Sequence, residues 1–327
     1  MRRIVLYAFL VLLIIPYQVS AVEMGIVTGS TTGTYYRIGN DIRSLVSRHG
    51  INLTVYSAKG SLDNIADVFE RPGVQLGIAQ SDALSYIDSM ATEDNRIKRV
   101  AKKVKMVFPL YNEEVHILAN NKQISTFSDL EGKVVAIGKE GSGSYLTANL
   151  LFQLAEIAPA KRAEVGGKEA IKALLDGDID AMFYVAGYPV KLFQETAPNG
   201  HLHLVPITHK NITEFYPIST IPAFTYAWQT DNVSTIAAKA VLITYDYKWR
   251  HCENVGSLAK IMYNNLDWLK QHGHEKWKNV DFDFQLRKWD QYLCVKKQIG
   301  QASPEESHTS PHRMGDILMR GLKDQFK

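Results

Sequence analysis

Two stretches of this chain are built alike, and together they restrict the fold more than any other feature. The first, GIVTGSTTGTYYRIGNDI from Gly25, runs from an extended apolar segment through a loop of glycines and hydroxyls into an amphipathic helix. The second, GKEGSGSYLTANLLFQLAEI from Gly138, follows the extended run Lys133–Ile137 and repeats the design. A strand that ends in a glycine turn and opens a helix is one half of a strand–helix–strand unit, which packs helices on the faces of a sheet.

The neighbouring segments extend both units. Glu23–Thr28 reads as a strand, Tyr36–Arg48 as a helix with Ile38, Ile42, Leu45 and Val46 on one face, and Gly50 as its cap. Leu53–Ser57 reads as a second strand. Ser61 is placed to cap the next helix, which carries Leu62, Ile65, Val68 and Phe69, and Gln75–Ala79 reads as a third strand. This alternation predicts a parallel sheet. Further extended runs fall at Val104–Leu110 and Val115–Ala119. Lys168–Leu175 reads as a helix ended by Gly177, and Asp180–Val185 as a strand; from Lys239 onward the pattern reads as helical and aromatic-rich.

The N-terminus bears on where the chain works. Met1-Arg2-Arg3 is a basic head, Ile4–Tyr17 an apolar run broken by Pro16, and Val19-Ser20-Ala21 a small-residue exit. This is the tripartite pattern of a secretory signal peptide, and the run is shorter than the ~20 residues that span a bilayer. Residues 1–21 are expected to be cleaved, leaving an exported protein. Without Arg2 and Arg3, the 37 basic and 34 acidic residues nearly balance, so nothing points to nucleic acid. Cys252 and Cys294, the two cysteines, can bridge in an oxidising compartment or stay as two buried thiols.

The two loops suggest anion chemistry. Ser30, Thr31, Thr32 and Thr34 supply hydroxyl donors at a helix N-terminus, where unpaired N–H groups and the helix dipole favour negative charge, and Tyr35 or Tyr36 can wall an apolar stem. A structural turn accounts for the same spacing. Neither nucleotide-binding glycine fingerprint fits, and Glu140 stands where a hydrolase nucleophile elbow would need glycine. Ser142 and Ser144 repeat the chemistry in the second loop. Ligands in open α/β sheets lie beyond the carboxyl ends of strands, so two facing loops could clamp a dianion. Gln80 lies beyond the third strand and could bond a ligand. Asp82 reads as the cap of the next helix, and Lys59 as a charge partner or a solvated lysine. The pairs His201/His203 and His272/His274 have no third ligand at metal spacing and read as surface residues; no metal, cofactor or catalytic constellation is expected.

Six segments in order carry a family likeness: Thr28–Tyr36, SAKGSLDN from Ser57, GIAQSDAL from Gly77, LYNEEVHILAN from Leu110, the second-unit run STFSDLEGKVVAIGKEGSGS with AIKALLDGDIDAMFYVAGYP, and STIPAFTYAWQTDNVSTIAAKAVLI from Ser219. The chain resembles the TAXI class of solute-binding proteins that serve TRAP transporters. The resemblance implies an α/β, type II periplasmic-binding-protein fold, with residues 22–112 and 222–327 in one lobe and 113–221 in the other, around a hinged cleft. It implies a monomer in the periplasm that captures a small organic anion, glutamate-like or a C4/C5 dicarboxylate, for a membrane permease. Carried over by position, the ligand-binding set is Ser30, Thr31, Thr34, Tyr35, Lys59, Gln80, Ser142, Ser144, Tyr184, Gly187, Pro189 and Phe224. Departures from the family pattern fall at Thr32, Arg37, Lys59 and Phe224. A ligand sensor for a receptor on the same fold, or an exported enzyme, are the alternatives.

Overall fold

Two long strands organise the computed structural model of the chain, which describes residues 21–89, 95–197 and 201–300. In chain order the elements are β1 (Val22–Val27), α1 (Thr34–Val46), β2 (Ile51–Tyr56), α2 (Ser61–Glu70), β3 (Leu76–Gln80), α3 (Ala83–Ser89), α4 (Asn95–Ala101) and β4 (Val104–Ala119). There follow β5 (Val134–Ala136), α5 (Gly143–Ala155), β6 (Lys161–Ala163), α6 (Gly167–Asp176), β7 (Ala181–Ala186), α7 (Lys191–Gln194), β8 (His203–Leu204), α8 (Lys210–Phe215) and β9 (Ile218–Ile221). The last described elements are β10 (Val233–Tyr245), α9 (Arg250–Asn264), α10 (Leu266–His272) and α11 (Leu293–Ile299). The expected signal peptide falls almost wholly outside the described residues.

The strand order is β2-β1-β3-β10-β4-β7-β5-β6, with β8 added to β4 and β9 to β10. β1 pairs in parallel with β2 and β3, and β5 in parallel with β6 and β7. β10 runs antiparallel to both β3 and β4, and β4 antiparallel to β7. The sheet is therefore mixed, two parallel blocks joined through two antiparallel strands, rather than parallel throughout. This is the α/β architecture of type II periplasmic-binding-protein domains, with the second block built on the far ends of β4 and β10.

Both connecting strands differ from the sequence expectation. The two runs Val104–Leu110 and Val115–Ala119 are one 16-residue strand, because β10 pairs across the polar interval, with Lys239 opposite Asn112 and Ala238 opposite Glu113. Lys239 lies inside β10 rather than starting a helical region. The segment STIAAKAVLITY is apolar on both faces, as a strand buried on both sides must be, so period-2 alternation is muted.

Each block has its own core. Ile26, Ile38, Ile42, Leu45, Leu53 and Phe108 pack with Val255, Leu258 and Trp277 of the C-terminal helical region. Val115, Ile117, Phe127, Leu151, Phe152 and Phe183 pack with Ile236 and Ala238 in the second block. Burying such side chains is worth roughly 1.5–3 kcal/mol each, so both blocks are held by substantial cores. Cys252 of α9 and Cys294 of α11 form a disulfide, with Cα atoms 5.5 Å apart. Asp41 of α1 accepts from the Trp277 indole N–H at 2.8 Å and from the His274 backbone N–H at 2.7 Å. That fixes residues 274–279 against the sheet and places Lys276 beside β4.

Candidate functional site

The carboxyl ends of β1, β2, β3 and β5 feed the loops that open α1, α2, α3 and α5, and all but the third of these helices start on one cavity of about 450 Å³. Gly33, Thr34 and Tyr35 line it from α1, Gly60 and Ser61 from α2, Ser142, Gly143 and Ser144 from α5, and Gly166 and Gly167 from α6. The caps of α1, α2 and α6 are Gly33, Gly60 and Gly166, and none supplies a capping side chain. Apart from the Leu62 N–H of α2, which is taken by the Gly141 carbonyl, first-turn N–H groups there are left for another acceptor. α1 and α5 carry no acidic residue in the first turn to neutralise their positive ends. Four convergent helix N-termini make a field suited to an anion.

The two blocks already touch across this space. The Leu62 N–H donates to the Gly141 carbonyl at 3.2 Å. The Gln80 side-chain amide donates to Thr147 Oγ1 of α5 at 3.3 Å, and its backbone N–H donates to Ser61 Oγ at 3.0 Å. Thr147 and Tyr216, both from the second block, donate to Asp82 Oδ2 at 2.8 and 2.7 Å. So Asp82 does not spend its side chain on capping α3. It is a buried acceptor between the blocks, and burial raises its pKa above the usual carboxylate range. Ser61, likewise, is the first residue of α2 rather than its cap, with its hydroxyl turned to Gln80. Gly143 packs so tightly on Gln80 that a Cβ there would lie 2.6 Å from the Gln80 Cδ.

The inner wall holds one acid. Glu113, on β4, lines the cavity yet is 3% exposed. The Tyr35 hydroxyl donates to its Oε2 at 2.6 Å. Burial, with the nearby charges of Asp82 and Glu114 adding to it, pushes the Glu113 carboxyl up to about 8, although the Tyr35 hydrogen bond and Lys276 oppose the shift. Burial, then Glu113 itself, pushes the Tyr35 phenol up as well. Glu114, the next residue, points to a different partner: Lys276 Nζ lies 3.0 Å from its Oε2, both side chains about 5% exposed or less. The Tyr188 N–H also donates to Glu114 Oε2 at 3.3 Å, and Lys276 Nζ sits 4.0 Å from the Tyr188 ring centroid. Successive residues of a strand face opposite sides, which is why adjacent acids meet different surroundings.

The expected ligand set is brought together in part. Ser30, Thr34, Tyr35, Lys59, Gln80, Ser142, Ser144 and Tyr184 line the cavity. Thr31 lies outside it, on an exposed shelf with Ser57 and Asp63. Gly187 packs against the aliphatic stem of Lys276, where a Cβ would meet Cε at 2.5 Å, and so belongs to the Glu114–Lys276 contact rather than the cavity. Pro189 follows a cis peptide bond and does not line the cavity. Phe224 is 80% exposed on a turn and does not reach it. Lys59 and Lys139 stand at the rim, each more than 60% exposed and each within 4 Å of an acid, Asp63 and Glu169. Ser142 Oγ accepts from the Tyr145 N–H, and Ser144 Oγ from the Val185 N–H, so both keep their own proton to donate. Sequence reasoning missed Glu113, Gly166 and Gly167. For Glu113 a signal existed: a pair of acids in the middle of the apolar run YNEEVHIL is expensive to bury without a purpose.

The fold is shared with known structures at low sequence identity. A protein from Bordetella bronchiseptica RB50 superposes with a TM-score of 0.50 at 16% identity, covering 93% of this chain and 89% of that one. Also similar are a histidine-bound substrate-binding protein of an ABC uptake transporter from Streptococcus pneumoniae and ArtJ, the arginine-, lysine-, histidine-binding protein of Geobacillus stearothermophilus. Their TM-scores are both 0.49, at 15% and 14% identity, over 80% and 84% of this chain and 94% and 99% of theirs. The sequence profile of the NMT1-like family matches residues 26–287. With that match running from β1 through the cavity-lining loops to the segment bearing Lys276, the chain belongs to the NMT1-like family.

Proposed function

We propose that this protein is an exported solute-binding protein that captures a small organic acid, glutamate-like or a C4/C5 dicarboxylate, and delivers it to a TRAP-type secondary transporter as a member of the TAXI class. The observation that carries this reading is the convergence of four helix N-termini and the hydroxyls of Ser30, Thr34, Ser142 and Ser144 on one cavity between the two sheet blocks. Neutral donors suit capture and release, because they hold an anion without a permanent buried cation that would need a partner when the site is empty.

Capture needs no bond to form or break. The acid docks on the loops of one block, and the other block closes by rotation about β4 and β10, so that both sets of loops donate to it. The contacts of Asp82 and Gln80 with Thr147 belong to the closed arrangement. A ligand shifts this equilibrium only by the difference of its affinities for the open and closed forms, so groups reached from both blocks control closure. The secretory pattern of residues 1–21 and the disulfide fit work outside the cytoplasm.

Thermal unfolding of the chain from Val22, against glutamate, glutamine, 2-oxoglutarate, succinate and neutral amino acids, tests the reading. A ligand at ~100 times its dissociation constant adds roughly 2.7 kcal/mol. A selective rise with one acid, lost in Ser142→Ala/Ser144→Ala, is the expected result. No rise with any acid, from protein stripped by unfolding and refolding, overturns it.

A further inference from the structure

The cavity is not uniformly suited to negative charge. Of its lining residues three are charged: Lys59 and Lys139 at the rim, both largely exposed, and Glu113 on the inner wall, nearly fully buried. Among the described residues, no Lys, Arg or His nitrogen lies within 4.0 Å of the Glu113 carboxylate, while Glu114 beside it is fully matched by Lys276. Tyr35 occupies Oε2 of Glu113, which leaves Oε1 for a ligand. A buried carboxylate facing a binding cavity without a cation of its own is complementary to a ligand that brings one.

We propose that Glu113 is the specificity-determining residue of the cavity, and that it selects ligands bearing a protonated nitrogen: the carboxylate of a zwitterionic amino acid lies toward the helix N-termini and its ammonium group on Glu113. This rests on the acid-capture reading above and narrows it, since an acid of the same length without the nitrogen would set a carbonyl or a methylene group against Glu113.

The surroundings of Glu113 give the pair a proton signature. Tyr35 from α1, Tyr111 and Glu114 from β4, Asp82 beyond β3, Tyr184 from β7 and Lys276 from the C-terminal region are the titratable groups around it. Lys276 is the one cation among them, and it is committed to Glu114. In the empty cavity Glu113 therefore holds a proton at neutral pH, and an arriving ammonium group displaces it to solvent. Amino-acid affinity then rises from pH 6 to 8. A ligand that accepts a hydrogen bond from protonated Glu113 has the opposite dependence.

The test is isothermal titration of the chain from Val22 with L-glutamate and L-glutamine against 2-oxoglutarate and glutarate, at pH 6, 7 and 8, in buffers of different ionisation enthalpy. At least one amino acid is expected to bind about tenfold or more tightly than either acid lacking the nitrogen, which meets a protonated Glu113 and forgoes the charge-assisted contact. Its binding releases close to one proton at pH 7. In Glu113→Gln the preference collapses, with amino-acid affinity down at least tenfold and 2-oxoglutarate unchanged or improved. Binding of 2-oxoglutarate or glutarate as tightly as the amino acids, weakening toward pH 8, overturns the role given to Glu113 and leaves acid capture standing. No binding by any of the four overturns acid capture and this inference with it. The wild-type comparison decides the matter even where Glu113→Gln fails to fold.

Discussion

Lys276 Nζ and Glu114 Oε2 form an ion pair at 3.0 Å between the C-terminal region and the middle of the longest strand, with both side chains almost wholly buried. The pair sits where the second block meets the first: the Tyr188 N–H joins the same carboxylate, and Gly187 lies against the lysine stem. One residue earlier on the strand, Glu113 has a phenol for a partner and a cavity in front of it. Alternation along one strand thus separates a structural acid from a candidate recognition acid.

Removing the cation leaves Glu114 charged and buried. Lys276→Met is expected to lower the unfolding free energy by about 3–5 kcal/mol, and Lys276→Met with Glu114→Gln to recover much of that loss. Urea unfolding of the two variants checks it. A loss below ~1 kcal/mol in the single variant would show that solvent reaches the pair.

Stability should depend on Glu113 with a definite sign. Its ordinary value is 4.5 and its folded value about 8, so between these the folded protein holds a proton that the unfolded chain has lost. The resulting stabilisation is complete below pH 4.5 and disappears as pH rises through 8. Asp82, raised as well, adds in the same direction, while His116 and His274, both pushed down to about 4 by burial, act oppositely as pH falls below 6.5. Comparison with Glu113→Gln cancels these shared contributions. The variant is expected to gain on the wild type between pH 5 and pH 8.5 by a few kcal/mol. Chemical denaturation at the two pH values measures it, and a constant difference would exclude the raised carboxyl.

The disulfide closes α11 onto α9 across 42 residues of chain. Cys252→Ser/Cys294→Ser is expected to cost about 2–4 kcal/mol, chiefly through a looser unfolded state. Reducing agent should lower the wild-type melting temperature and leave the double variant unchanged.

Gly143 and Gln80 are coupled by contact. Gly143→Ala drives a methyl into the Gln80 side-chain amide, whose Oε1 accepts from the Ser61 hydroxyl and whose Nε2 donates to Thr147 Oγ1. It is expected to cost about 1–3 kcal/mol as an overpacked site, and Gln80→Ala in the same chain to return most of it. Additive losses in a double-mutant cycle would mean that the two blocks do not meet there.

The sequence by itself determined the local elements and their order. Glycine-and-hydroxyl loops between a short apolar strand and an amphipathic helix are written within about twenty residues each, and Ile38, Ile42 and Leu45 declare their face of α1 through period alone. For that reason Ser30, Thr34, Tyr35, Ser142 and Ser144 could be picked out as site candidates before any coordinates. Phe224, Gly187 and Pro189, assigned by family position, sit away from the cavity, because short-range likeness does not fix where a loop is carried in space. Only tertiary structure decided that two apolar runs are one strand, that Lys239 lies in a strand rather than a helix, and that Asp82 bridges two blocks instead of capping its own helix. It also decided that Glu113 faces the cavity while Glu114 faces Lys276, 162 residues away along the chain. Pairing partners distant in sequence set register and burial, and burial in turn decides which of two adjacent carboxylates is neutralised by a lysine and which is left facing a cavity.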